Sequence, residues 1–103
     1  MVKDIPPMIA AEWLSEGQLV LDVREPHELE LSAIPGVLHI PMNTLPERID
    51  ELDPTRRIAV LCHHGVRSWQ VASWLDAQGF EDVYNIAGGI AHWAEWDPSV
   101  PRY

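Results

Sequence analysis

Apolar residues come along this chain in short unbroken runs, separated by segments with helical spacing. Leu19-Val20-Leu21-Asp22-Val23, Val37-Leu38-His39-Ile40, Ile58-Ala59-Val60-Leu61-Cys62 and Val83-Tyr84-Asn85-Ile86 read as strands. Near-continuous runs of this kind suit strands covered on both faces. Between them lie helical stretches. Pro6-Pro7 open the first, with Ile9–Trp13 and Ala10–Leu14 at helical spacing and Gly17 as its stop. Pro46 sits near the start of a second, running to about Leu52, with Leu45, Ile49 and Leu52 on one side and Asp53-Pro54 ending it. A third spans about Arg67 to Gln78: Val71, Ala72 and Leu75 face the core, Gln70, Ser73 and Asp76 face water, and Gly79 stops it. Ala87-Gly88-Gly89 makes a turn before a short last helix, Ile90 to Glu95. The stretch from Arg24 to Ser32 reads as charged and irregular, Pro35-Gly36 as a turn, and the tail from Asp97 to Tyr103, with two prolines, as irregular. Strands alternating with helices predict an α/β domain with a mainly parallel sheet. In such sheets the ligand lies beyond the C-terminal ends of the strands. Cys62 stands at one such end, and Asp22 lies near another.

Composition narrows the picture. A chain of 103 residues suits one domain, which at this size buries roughly two-thirds of its unfolded surface. A single cysteine excludes an internal disulfide, a CxxC pair and a cysteine-rich zinc site, and leaves no second thiol to resolve chemistry at Cys62. Seven Lys and Arg against sixteen Asp and Glu give a net charge of −9, a surface that repels nucleic acid and anionic membrane. From Pro54 to Leu75, however, there is no acidic residue, while Arg56, Arg57, His63, His64 and Arg67 fall in that window. The window predicts a locally cationic site for a small anion. The N-terminus lacks the apolar core of a signal peptide, and no apolar run approaches a membrane span. A soluble protein of the reducing cytoplasm, monomeric by default, is the expectation.

A lone cysteine at the end of an apolar strand is most often an inert core residue. The neighbours of Cys62 argue for more. Gly65 allows the positive φ of a tight, anion-facing loop. Arg67 brings a planar cation with forked donors, and Ser68 is a candidate N-cap or first-turn hydroxyl. A thiol of ordinary pKa near about 8.5 is lowered by a helix N-terminus and a cation, and the thiolate is the nucleophile. This reading requires a sulfur that solvent can reach.

With this loop on this scaffold, the chain resembles the rhodanese family in its small single-domain form. Leu21-Asp22-Val23-Arg24-Glu25-Pro26 with Glu28 is similar to the family's D-V-R-E-P-x-E segment. Ile34-Pro35-Gly36-Val37 through Ile40-Pro41 is similar to I-P-G-A-x-x-I-P. Cys62 to Ser68 resembles the active loop C-x-x-G-x-R-S, and Gly88-Gly89-Ile90 with Trp93 resembles G-G-x-x-x-W. Four such segments in order span nearly the whole chain. The resemblance implies one domain over residues 1–103, its mainly parallel sheet of about five strands flanked by helices on both faces. It implies a sulfurtransferase without cofactor or metal. Cys62 would be the catalytic nucleophile and persulfide carrier, and His63, His64, Gly65, Val66, Arg67 and Ser68 the substrate-binding loop. A small anionic sulfur donor such as thiosulfate gives up its outer sulfur, and cyanide, a thiol or a protein accepts it. The Ser68 hydroxyl would hydrogen-bond the sulfur. The chain departs from the family in Ser32-Ala33, where Gly-His is common, and in His63 and His64, where some members carry Lys or Arg.

Other readings stay open. Phosphate-binding thiol enzymes use C-x5-R, whereas Arg67 lies one position closer to Cys62, a tighter cradle better matched to one sulfur atom than to phosphate. A non-catalytic sulfur-carrier or binding module is another reading; a metal site on Cys62, His63 and His64 lacks ligand spacing, and His39 and His92 are too scattered to help. Trp13, Trp74 and Trp93 fit helix faces in the core; Trp69 reads as packing, with the pocket mouth as its alternative. Asp22, Arg24 and Glu25 read as a structural ion-pair group beneath the site.

Overall fold

Ile58, Val60 and Cys62 pack into one hydrophobic cluster and Ala59 and Leu61 into another. This period of two along a central strand organises the molecule. A computed structural model describes residues 1–103. In chain order the elements are β1 (Lys3–Ile5), α1 (Pro7–Ser15), β2 (Leu19–Asp22), α2 (Pro26–Leu31), β3 (Leu38–His39), α3 (Leu45–Arg48), β4 (Ile58–Leu61), α4 (Val66–Ala77), β5 (Val83–Ile86) and α5 (Gly89–Trp96). The five strands lie in the order β1-β5-β4-β2-β3, every neighbouring pair parallel. Val71, Ala72 and Leu75 of α4, with Leu45 and Leu52, cover one face beside Leu21, Val60 and Val83. Ala10 of α1 and Ile90, Trp93 and Ala94 of α5 cover the other beside Val20, Ala59, Leu61 and Ile86. Both faces of β4 are therefore dry, which is why the run into Cys62 shows no polar alternation.

Several elements differ from the sequence reading, each for a local reason. The charged stretch after Arg24 holds a helix, α2. Pro26 opens it, and Glu25 and Glu28 form a reciprocal capping box across its first turn. Their charges looked like loop composition, yet they satisfy the helix's free N–H groups. Lys3–Ile5 form an edge strand that the sequence did not announce. Lys and Asp are poor strand formers, and pairing with Tyr84, Asn85 and Ile86 of β5 decides their conformation. The helix expected from near Pro46 to about Leu52 is instead the single turn of α3 followed by a 3-10 turn (Ile49–Glu51), with another 3-10 turn (Met42–Thr44) leading into them. Its apolar side is nonetheless buried at Leu45 and Leu52. Beyond Trp96 the chain carries no helix or strand. Trp93 is buried, Trp13 and Trp74 are half-buried, and Trp69 is exposed rather than packed.

The turn before α5 fixes where the functional loop lies. The N–H groups of Ile90 and Ala91 donate to the carbonyls of Cys62 (2.9 Å) and His63 (3.0 Å). Helix donors that have no partner within α5 thus hold the backbone that follows β4. The approach is so close that a Cβ at Gly89, whose φ is +61°, would fall on those two carbonyl oxygens.

Candidate active site

Cys62 is the first residue after β4, and the alternation of that strand turns its side chain toward α4. Gly65 adopts φ +98°, the left-handed conformation that its lack of a Cβ permits, and closes a tight loop ahead of α4. In this conformation its N–H donates to the Cys62 Sγ at 3.0 Å. The N-cap position is Gly65 itself, and no side chain caps the helix. Ser68, expected as a cap or first-turn hydroxyl, stands in the first turn but points inward. It is fully buried and accepts the Cys62 S–H at 3.2 Å, while its own O–H donates to Asn85 Oδ1. Loop, helix start and strand end thus meet at one sulfur, with donors and acceptors on different sides of it.

Two expectations need correction. Cys62 is 1% exposed, so the sulfur is the floor of the loop and not an open thiol. Second, the acid-free window does not make a cationic pocket, because acidic residues from elsewhere in the chain come to Arg67 and Arg57, two of its three arginines. Arg67 donates both forks to Glu28, at 2.8 and 2.9 Å. Arg57 pairs with Asp82 at 3.3 Å and lies over the Trp13 ring, and Arg56 donates to the Gly17 carbonyl. Arg56 and Arg57 also precede β4, a strand's length from Cys62. The absence of nearby acids in sequence says nothing about what the fold brings alongside.

Glu28 is the centre of this arrangement. It is buried, accepts the N–H of Glu25 (2.8 Å) and the hydroxyl of Tyr103 (2.9 Å), and holds Arg67. The Arg67 hydrogen bonds are the main reason that its pKa is lowered to about 2, against burial that opposes this. The same pairing raises the Arg67 pKa. The Tyr103 hydroxyl also accepts from Arg24 at 3.0 Å, and Arg24 is paired with Asp22 at 2.7 Å, both fully buried. Glu25 takes no part in that ion pair; its place is the cap of α2. The Tyr103 ring stacks on His63 (centroids 3.9 Å apart, 9° between planes), and His63 stacks on His64. Burial pushes the His63 pKa down, and His64 adds to this. Of the remaining loop side chains, Val66 is exposed, and with Trp69, Gln70, Asp4 and Asn85 it borders an open cleft of about 350 Å³ beside the loop. His39 donates from Nε2 to the Arg24 carbonyl (2.7 Å), and His92 Nδ1 lies 3.2 Å from the Ala87 carbonyl, so both are tied up in backbone packing.

The Glu28 pair has a pH consequence. A carboxyl held at about 2 instead of the ordinary 4.5 favours the folded state above pH 4.5, and that contribution disappears as pH falls toward 2. It amounts to about 3 kcal/mol, of which about 2 kcal/mol is gone by pH 3. Urea unfolding at pH 6 and pH 3 checks this: the wild type should lose more stability between the two than Glu28→Gln, and equal losses would contradict the assignment.

Sequence reasoning placed Cys62 and the whole loop His63 to Ser68 at one locus; the structure sets Gly65 and Ser68 against the Cys62 Sγ, directs Arg67 to Glu28, stacks His63 between His64 and Tyr103, and leaves Val66 exposed. That reasoning missed the roles of Glu28, Asn85, Asp4 and Tyr103. Asn85 was visible as a lone amide in an apolar strand. Tyr103, in an irregular tail, carried no signal.

Comparison with known proteins adds the family. The model of the rhodanese-like domain matches residues 7–95. The Arabidopsis thaliana protein named rhodanese-like/PpiC domain-containing protein 12, chloroplastic, is 45% identical over 96 residues, covering 88% of this chain and 32% of that protein. Thiosulfate sulfurtransferase GlpE of Pseudomonas syringae pv. syringae (strain B728a) is 36% identical over 91 residues, covering 88% of this chain and 86% of that protein. The chain thus spans about a third of the plant relative and most of the bacterial one. The crystal structure of a rhodanese-related protein from Thermoplasma volcanium superposes with a TM-score of 0.83 at 33% identity, covering 92% of this chain and 93% of that one. With the family model matched over most of the sequence and the same fold in a solved relative, this chain belongs to the rhodanese-like domain family.

Proposed function

We propose that this chain is a sulfurtransferase in which Cys62 carries the transferred sulfur as a persulfide. The observation that carries the reading is the Gly65 N–H aimed at the Cys62 Sγ from the C-x-x-G-x-R-S loop of a rhodanese-like domain. In the first step the Cys62 thiolate attacks the outer sulfur of a donor such as thiosulfate. A new S–S bond forms to Cys62, the donor's S–S bond breaks, and sulfite leaves with the electron pair. In the second step a thiophilic acceptor, a thiol or protein in the cell or cyanide in vitro, attacks the outer sulfur of the persulfide and regenerates the thiolate. This is covalent catalysis with the difficult transfer split in two. Because Glu28 neutralises Arg67, the main-chain donors of His63 to Arg67 carry the negative charge of persulfide and leaving group. His63, His64, Val66 and Ser68 shape the space around them. The reading suits the cytoplasm, where a free thiol persists.

The burial of Cys62 favours a second reading, a rhodanese-like module that binds or carries without turnover. Incubation with thiosulfate and cyanide separates the readings. Release of sulfite with catalytic formation of thiocyanate is the expected result. One equivalent of sulfite without turnover would support the carrier reading. Failure with thiosulfate, polysulfide and glutathione persulfide alike, or hydrolysis of an aryl phosphate instead, would overturn the proposal.

A further inference from the structure

A single line of hydrogen bonds runs from the buried sulfur across the α4 face of the sheet to an exposed carboxylate. The Cys62 S–H donates to Ser68 Oγ at 3.2 Å, the Ser68 hydroxyl donates to Asn85 Oδ1, and Asn85 Nδ2 donates to Asp4 Oδ1 at 3.0 Å. Asp4 and Asn85 are register partners on β1 and β5, so their side chains leave the same face of the sheet side by side. Ser68 and Asn85 are buried.

The direction of this line follows from which groups can donate. An ionised carboxylate only accepts, so Asp4 must receive the NH2 of Asn85. That orientation leaves the Asn85 oxygen facing Ser68. A hydroxyl has one proton, and Ser68 gives it to that oxygen. What remains toward Cys62 is a serine lone pair, which suits S–H and opposes S⁻. The Gly65 N–H, by contrast, suits S⁻. We propose that Asp4 and Asn85 are positioning residues that turn the Ser68 hydroxyl away from Cys62, so that the resting site favours the thiol until Ser68 is released. The hydrogen-bond direction stands without any claim about sulfur transfer; only its consequence for reactivity rests on the proposed function.

The charged and titratable groups around the sulfur are His63 and His64 in the loop, Arg67 on α4 with Glu28 on α2, the Asp22–Arg24 pair at the end of β2, and Asp4 on β1. Only Asp4 changes in the variants that test the proposal, so its direct Coulombic effect must be separated from its effect through Ser68.

The test is the pH titration of Cys62 followed by thiolate absorbance at 240 nm. It needs no sulfur donor, so a failed sulfur-transfer assay leaves it intact. Asn85→Leu removes the acceptor of the Ser68 proton and changes no charge. It should raise the thiolate fraction about tenfold at a given pH below the midpoint, the scale of one hydrogen bond to a charged sulfur. Asp4→Asn, an isosteric change at an exposed position that keeps the fold testable, should shift the titration in the same direction by less. Combined with Ser68→Ala, Asp4→Asn should shift nothing, and Asp4→Glu should restore the wild-type curve. An Asp4→Asn shift that persists unchanged in the Ser68→Ala background would mean direct charge repulsion and overturn the proposal. Unaltered titration in both Asn85→Leu and Asp4→Asn would overturn it equally.

Discussion

Asp22→Ala should destabilise the domain by about 3–5 kcal/mol, although no part in the chemistry is assigned to Asp22. The mutation leaves Arg24 behind, a guanidinium with no exposed surface whose Nε and Nη2 both bond Asp22. Taking one member out of a buried pair strands the other charge, and that, more than the worth of the pair itself, sets the size of the loss. A domain of this size has about 5–15 kcal/mol in total, so the variant should sit close to unfolding at room temperature. Urea denaturation of wild type and variant at neutral pH measures this. Asp22→Asn, which keeps an acceptor and most of the shape, should lose less. A loss below about 1 kcal/mol for Asp22→Ala would show that Tyr103 and the Glu28 carbonyl, the other partners of Arg24, suffice to hold it.

Cys62→Ser should lower sulfur transfer by at least about a thousandfold while leaving the fold intact. A serine hydroxyl is a poor nucleophile toward sulfane sulfur and forms no persulfide, so the substitution removes the reacting atom itself. The side chain is buried in the α4-side core, but serine is nearly isosteric with it and its hydroxyl can take up the partners Ser68 and the Gly65 N–H, so the packing cost is modest. Steady-state thiocyanate production from thiosulfate and cyanide checks it, with thermal unfolding as the control. Activity within about tenfold of wild type would rule out covalent chemistry at this position.

The parts of the fold that were legible are those where one local rule dominated. The run Ile58 to Leu61 is apolar on both faces because helices cover both faces, and its periodicity said so. Gly65 announced a positive φ, and it has one. The parts that were not legible depend on groups distant in sequence. β1 exists because β5 offers an edge, not because Lys3-Asp4-Ile5 favours a strand. The α2 helix was hidden because Glu25 and Glu28, its capping box, look like loop residues by composition.

The site divides along the same line. Cys62, Gly65 and Ser68 fall within one loop and were found together. The partners that set their chemistry come from four other places in the chain: Glu28 for Arg67, Asn85 for Ser68, Asp4 for Asn85, and Tyr103 for Glu28 and His63. Charge counted along a window therefore misread Arg67 as a free cation, since its neutralising carboxylate arrives from another helix. Burial of Cys62, by contrast, was the ordinary expectation for a lone cysteine ending an apolar strand, and the loop chemistry around it argued for an open sulfur that the structure does not show.

The mass of the intact protein after exposure to thiosulfate, with the donor then removed, tests most directly whether Cys62 takes up sulfur. The account predicts a gain of one sulfur atom per chain, discharged by cyanide or a reductant and never formed in Cys62→Ala. An unchanged mass with every sulfane donor tried, or an adduct that survives the Cys62→Ala substitution, would contradict it.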